Sequence, residues 1–259
     1  MGTVVFSDVH ADADALGIMA AYIRDPSFSQ RFGPVDTLVN LGDLLHRGNC
    51  PQAALELIRD LAQEYRLVSV IGNHDHAFLN GVPVSGSDEI STFRHEQLRG
   101  SPLLGMFTDM PMEWVDRSIL FVHGGPLDLG TQTLRLKCWQ RLSHTAGDSF
   151  TGYHYTAPTA FDALEQRGLS FLVCGHQHTH VCCRKTMSGI NEHLIRYVVE
   201  EEPAVAGSSV EVARIPLDMP TLFRVGGCHG DRPEFAYVDE TSFSYIRLTC
   251  PSRCGAPFA

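Results

Sequence analysis

The sequence predicts an α/β fold on parallel strands, with its polar functional residues gathered at one sheet edge. Three observations carry that expectation. Short apolar runs of strand length alternate with stretches of helical periodicity through the first half of the 259-residue chain. Five of those runs each end in a residue able to hold a metal ion. A content of 44% hydrophobic and 19% charged residues describes a soluble globular protein with enough length to bury a full core.

The first run, residues 3–6, precedes Asp8 and His10. Residues 12–24 then place Leu16, Met19, Ala20 and Ile23 at helical spacing, with Asp12 and Asp14 as helix-start charges. The second run, 37–41, precedes Asp43. A second helix is expected over 51–65, where Leu55, Ile58 and Leu61 recur, Pro51 suits the first turn and Asn49 is the expected cap. The third run, 67–71, leads to Asn73 and His74. A βαβαβ rhythm of this kind implies parallel strands covered by helices.

Residues 77–110 break the rhythm with Gly81, Pro83, Gly86, Gly100, Pro102 and Gly105, and read as loop and short helix over the site. The fourth run, 118–122, ends at His123. A second irregular stretch, 126–158, holds Trp139, His144 and His154. Both stretches are candidates for substrate walls, because long loops on an α/β sheet are often functional. The fifth run, 169–174, ends at His176 and His178. After it come apolar runs at 194–199, 210–215, 221–225, 234–238 and 242–248, expected as a mostly antiparallel part of the same sheet system. The organisation is one domain over 1–259 with irregular, cap-like segments at about 77–111 and 126–158.

A formal net charge of −10 argues against a duplex nucleic-acid partner. An anionic substrate remains compatible, since two divalent ions add about four positive charges locally. No apolar segment approaches the roughly 18 residues of a membrane span, and the start of the chain does not resemble a signal peptide. The eight cysteines then read as reduced thiols in a cytoplasmic protein. Cys182-Cys183 and Cys250-x-x-x-Cys254 lack the four-ligand pattern of a zinc site.

In open α/β sheets, ligands bind outside the carboxyl ends of the strands. One strand tip carrying a polar residue is an ordinary turn; five converging tips make a metal centre. The candidate ligands are Asp8, His10, Asp43, Asn73, His123, His176 and His178. Mixed nitrogen and oxygen donors without thiolate suit Mn, Fe, Zn, Co or Ni, with Mn favoured, rather than calcium. Seven such donors fit two divalent metal ions better than one. Asp43 has two oxygens and can bridge them.

Asp8-Val9-His10, Gly42-Asp43, Gly72-Asn73-His74-Asp75, His123-Gly124-Gly125 and Gly175-His176-Gln177-His178 resemble, in order, the five motifs of the calcineurin-like metallophosphoesterases. The closing Gly226-Gly227 and Asp231-Arg232-Pro233-Glu234 are also similar to that family's end. The resemblance implies a four-layer α-β-β-α sandwich of two mixed sheets with flanking helices. It implies that Asp8, His10, Asp43 and His178 hold one ion and that Asp43, Asn73, His123 and His176 hold the other. A metal-activated water or hydroxide would attack phosphorus. His74 would protonate the leaving oxygen, with Asp75 orienting its ring.

Gly42-Asp43-Leu44-Leu45-His46-Arg47-Gly48 resembles a motif of the Ser/Thr protein phosphatase and dinucleoside-tetraphosphate hydrolase branch. In that branch the arginine grips the substrate phosphate, which makes Arg47 catalytic and substrate-binding. His46 departs from the branch's Asp and becomes a second substrate-facing candidate. His178 points the other way, toward the broader family of nucleotide and diester phosphoesterases. The expected activity is phosphoester hydrolysis on a small phosphorylated molecule or nucleotide. The alternatives are a phosphoprotein substrate or an inactive metal-holding scaffold.

Overall fold

In the computed structural model, residues 2–130, 137–143, 153–199 and 209–249 are described. His144, Cys250 and Cys254 lie outside them. The chain runs through β1 (Gly2–Phe6), α1 (Ala13–Arg24), α2 (Pro26–Phe32), β2 (Val35–Asn40), α3 (Pro51–Glu64), β3 (Arg66–Ser69), α4 (Asn73–Leu79) and α5 (Glu89–Glu96). Next come β4 (Glu113–Asp116), β5 (Ile119–Val122), β6 (Gln140–Leu142), β7 (Tyr153–Tyr155), α6 (Ala157–Gln166) and β8 (Phe171–Cys174). The last strands are β9 (Val181–Thr186), β10 (Gly189–Glu192), β11 (Val198–Val199), β12 (Ser209–Pro216), β13 (Thr221–Arg224), β14 (Glu234–Val238) and β15 (Ser242–Thr249).

These strands form a seven-stranded sheet, β11-β12-β15-β14-β1-β2-β3, and a six-stranded sheet, β10-β9-β13-β8-β5-β4. β1, β2 and β3 are parallel, as are β5, β8 and β13. The flanking pairs are antiparallel, so both sheets are mixed.

Strand alternation decides the layers. Val4 and Phe6 face outward with Leu38, Phe235 and Tyr237, under Leu16, Met19, Leu55, Ile58 and Leu61 of α1 and α3. Val5 faces the other way, into the core between the sheets, with Val39, Phe121, Val173, Phe223 and Tyr245. Phe223 and Phe243 stack there at 4.0 Å, their planes 5° apart. Leu120, Val122, Leu172 and Leu222 turn outward from the second sheet under Phe161 and Leu164 of α6. Each such side chain, fully buried, contributes roughly 1.5–3 kcal/mol. The result is the expected helix–sheet–sheet–helix sandwich.

The β-rich second half divides between the sheets. β14 lies against β1, and β13 sits between β8 and β9. Two local expectations are corrected. The run at 194–199 gives only the two-residue β11, which pairs with β12 through Val198 and Val199. The N-cap of α3 is Cys50, with no side-chain cap bond, so Asn49 does not cap it. Asp12 does start α1, its Oδ1 accepting the Ala15 N–H at 3.1 Å. No helix among the described residues is long and apolar enough to cross a membrane. The described cysteines are free thiols, all buried except Cys50.

Candidate active site

Asp8, His10, Asp43, His176 and His178 all adopt left-handed backbone, with φ between 49° and 67°. So do His46 and Arg47, both at 67°. Such positions cost of order 1–3 kcal/mol each for residues other than glycine. Here they let the chain turn sharply off each strand and aim consecutive polar groups at one point. Hydrogen bonds between the turns hold them. The Asp8 N–H reaches the Gly42 carbonyl at 2.9 Å, and the His10 N–H reaches that of Asp43 at 2.9 Å. The His176 N–H donates to Asp8 Oδ2 at 2.9 Å. Glycine is required where turns touch: a Cβ on Gly72 would lie 2.1 Å from Asp43 Oδ1.

The candidate ligands meet in two adjoining groups. Asp8, His10 and His178 form one; Asp43, His123 and His176 form the other. His10 Nδ1 lies 3.1 Å from the Leu45 carbonyl, and His123 Nδ1 lies 2.9 Å from that of Leu41. A carbonyl only accepts, so each Nδ1 carries a proton and each Nε2 is turned to the site; it presents a lone pair in neutral His10, and would do so in His123 once an ion displaces its proton. Both nitrogens face other acceptors. His123 Nε2 stands 2.9 Å from Asn73 Oδ1 and 3.3 Å from Asp43 Oδ2. His10 Nε2 stands 3.8 Å from Asp43 Oδ2, 3.9 Å from Asp8 Oδ1 and 3.1 Å from His178 Nε2. Asp8 Oδ1, Asp43 Oδ2 and both ring nitrogens of His176 are buried without hydrogen-bond partners. Lone pairs that converge in this way fit a cation, and the nitrogen and oxygen donors fit a transition-metal ion.

Protonation follows the same geometry. Burial holds His10 and His176 well below the usual histidine value, so both stay neutral and able to ligate. Burial also works to lower His123, but the charges of Asp43, Asp8 and Asp75 outweigh it and push its pKa up to about 9. Burial would raise Asp43, yet His123, His74 and His10 hold it well below the usual carboxylate range. Asp43 Oδ1 accepts the His74 N–H at 2.8 Å. Oδ2 is left without a hydrogen-bond partner at the junction of the two groups, where Asp43 would serve both ions.

Asp75 does not orient His74. Its carboxylate turns back to accept the N–H groups of Asp43 at 2.8 Å, Leu45 at 3.0 Å and Gly72 at 3.2 Å. His74 Nδ1 has no hydrogen-bond partner. The cause is the start of α4: a carboxylate at its third residue meets the exposed amides of the first turn and of the neighbouring loop. Asp75 therefore anchors the 43–45 turn. The His74 ring is placed instead by packing, edge-on to His10 at 4.8 Å and to His46 at 5.5 Å. Its Nε2 lies 3.4 Å from Arg47 Nη2. Burial takes the His74 pKa down to about 4.

A cleft of about 550 Å³ opens over this group, lined by Asp43, Asn73, His74, His176 and His178 with Arg47, Trp139 and Arg141. His46 is not in that lining. The left-handed turn sends Arg47 into the cleft and His46 away from it, into an adjacent hollow with Phe78 and His95. His46 thus lines the second hollow and not the cleft over the candidate ligands. Pro83 and Val84 line both hollows, so the 77–111 segment does form a wall of the site.

Sequence reasoning missed three contributors. Arg141, in β6 two residues after Trp139, puts a second guanidinium on the cleft wall; no motif marks it. His229 Nε2 lies 3.0 Å from His178 Nδ1, backing that candidate ligand from the far end of the chain. His95, buried at 2% exposure, packs behind His46. As lone histidines, His95 and His229 carried no local signal.

The sequence model of the calcineurin-like phosphoesterase family matches residues 1–180. The chain belongs to that family. This phosphoesterase is 40% identical over 76 residues to the symmetrical bis(5'-nucleosyl)-tetraphosphatase of Sodalis glossinidius (strain morsitans). That match takes in 29% of the phosphoesterase and 24% of its relative, so the chain spans about a quarter of that relative's length. In fold it is similar to a metallophosphoesterase from Sphaerobacter thermophilus, with a TM-score of 0.65, 21% identity and coverage of 97% and 90% of the two chains. A hypothetical protein from Pyrococcus horikoshii follows, with a TM-score of 0.62, 14% identity and coverage of 97% and 89%. The family is one of phosphoesterases that use divalent metal ions.

Proposed function

We propose that this chain hydrolyses a phosphoester of a nucleotide or similarly small molecule with two divalent metal ions. One observation carries the reading. Arg47 and His74 line the same cleft as the converging lone pairs of Asp43, Asn73, His176 and His178. When bound, the ions supply activation of water and neutralisation of phosphate charge. Asp8, His10, Asp43 and His178 would hold one, and Asp43, Asn73, His123 and His176 the other. Arg47 grips a phosphate oxygen pair bidentately, and Arg141 in the same lining suits a second phosphate. His74, neutral at rest, would take a proton from solvent water in the cleft and pass it from Nε2 to the departing oxygen, leaving the ring neutral again. Trp139 offers an aromatic wall for a base, and the cleft volume falls in the range of small-molecule sites.

The Gly42–Gly48 turn with its arginine favours, as a second reading, a phosphomonoesterase acting on phosphoprotein. Hydrolysis of p-nitrophenyl phosphate and its bis-ester with added Mn²⁺ separates mono- from diesterase activity. Adding a dinucleoside polyphosphate and a phosphoserine peptide ranks the two readings by kcat/KM. Absence of activity on every phosphoester, with metal bound, refutes both and leaves the scaffold. His74→Ala should lose kcat while keeping its metal; unchanged turnover removes His74 from the chemistry.

A further inference from the structure

The turn that carries Arg47 is held from outside the metal centre by one short segment. Three side chains of residues 87–95 take three backbone groups of the consecutive residues 46–48. The His46 N–H donates to His95 Nε2 at 2.7 Å, and the Arg47 N–H donates to Ser87 Oγ at 2.9 Å. Ser91 Oγ–H donates to the Gly48 carbonyl at 2.9 Å. Two of these partners are themselves fixed. His95 Nδ1 lies 2.7 Å from the Ser91 carbonyl, which places its proton there and leaves Nε2 as the acceptor. The Ser91 N–H is capped by Asp88 Oδ1 at 2.7 Å. Gly86 lies alongside the arginine: a Cβ there would be 3.1 Å from Arg47 Nε.

This clasp has something to hold. His46 and Arg47 both sit at φ 67°, a backbone state that neither residue favours alone. From that state Arg47 reaches the cleft and His46 the adjacent hollow. Burial keeps His95 below the usual histidine value, so its acceptor lone pair persists at neutral pH.

We propose that His95, with Ser87 and Ser91, is a positioning residue for Arg47, locking the 46–48 turn in the left-handed conformation that presents the guanidinium to the substrate phosphate. The proposal rests on Arg47 as the phosphate grip. It makes the irregular 77–111 segment part of phosphate recognition through the backbone, with no contact to substrate needed from His95 itself.

The test uses the full Mn²⁺-loaded chain, with p-nitrophenyl phosphate turnover and calorimetric affinity for inorganic phosphate. His95→Leu keeps the bulk and removes the acceptor; His95→Gln returns an acceptor near Nε2. If the competent turn falls to about a tenth of the population, KM and the phosphate Kd rise about tenfold. Gln should recover most of that loss, and Mn²⁺ content should be unchanged. In an Arg47→Ala background, His95→Leu should add nothing, since the two act through one contact. Effects that multiply in the double variant overturn the proposal, as does a fall in kcat with KM and phosphate Kd unmoved, or lost metal. If His95→Leu does not fold, Ser87→Ala goes through the same cycle. If Arg47→Ala alone leaves phosphate affinity unchanged, the reading of Arg47 fails and the positioning role goes with it, an outcome distinct from failure of the clasp.

Discussion

Replacing Asp75 by Asn tests whether that carboxylate serves the turn or the His74 ring. In the structure it accepts from three backbone N–H groups, those of Asp43, Leu45 and Gly72. Asn keeps one acceptor oxygen and turns an NH₂ toward whatever the other oxygen faced. The least costly rotamer keeps the oxygen on Asp43 and Gly72 and leaves the buried Leu45 N–H against a donor. An unsatisfied buried donor costs about 1–3 kcal/mol. Burial and the neighbouring Asp43 charge push the Asp75 carboxyl up to about 7, so the neutral amide also relieves an unfavourable buried charge. That offset places the net near 1 kcal/mol, or roughly 2–4 °C in Tm for a chain of this size. The assay is calorimetric unfolding of metal-free protein, followed by kcat at saturating Mn²⁺. The expected outcome is a clear fall in Tm and weaker metal uptake, because Asp43 rides on the displaced turn. An unchanged Tm with kcat down a hundredfold or more would refute the reasoning and return Asp75 to the His74 ring.

Gly72→Ala should strip metal and cost about 1–3 kcal/mol by overpacking, since its Cβ would lie 2.1 Å from Asp43 Oδ1 and 2.2 Å from Asp43 N. Gly17→Ala, in α1 with its nearest contact 4.0 Å away at Leu57 Cδ2, should instead gain roughly 1 kcal/mol. Equal Tm values for the pair would contradict the packing. Asp43→Ala should lower Mn²⁺ stoichiometry by more than His178→Ala or His176→Ala, because Oδ2 serves both groups; elemental analysis after gel filtration decides it. Burial lowers His46 to about 4 and also lowers His95. Their contribution to stability is therefore fully present above the unfolded histidine value near 6.5 and is lost as pH falls toward 4. Tm against pH in wild type and His95→Gln should converge on the acid side, and parallel curves would rule this out.

The five strand tips were legible because apolar run and polar terminus are adjacent in sequence, and both are local signals. The alternation that puts Val4 and Val5 in different cores was equally local. The assignment of strands to two sheets was less so: β13 pairs with β8 fifty residues back, and β14 with β1 at the start of the chain. Asp75 was misread for a related reason. Its neighbour in sequence is His74, but its neighbours in space are the amides of the Asp43 turn. His229, Arg141 and His95 act through long-range contacts, which a lone residue in one sequence does not announce. Nothing in Asp8, His10 or Asp43 signals left-handed backbone either, because those types adopt it only when surrounding turns impose it.

The placing of β14 beside β1, and of His229 behind His178, has a consequence for synthesis. Five metal-site motifs have left the ribosome by residue 178, yet β1 still lacks one neighbour and β8 lacks β13. The centre can be completed only after about fifty further residues emerge and thread into both sheets. Long-range pairing of this kind folds slowly and exposes unpaired strand edges meanwhile. Metal capture would therefore wait until β13 and β14 have joined the sheets around it.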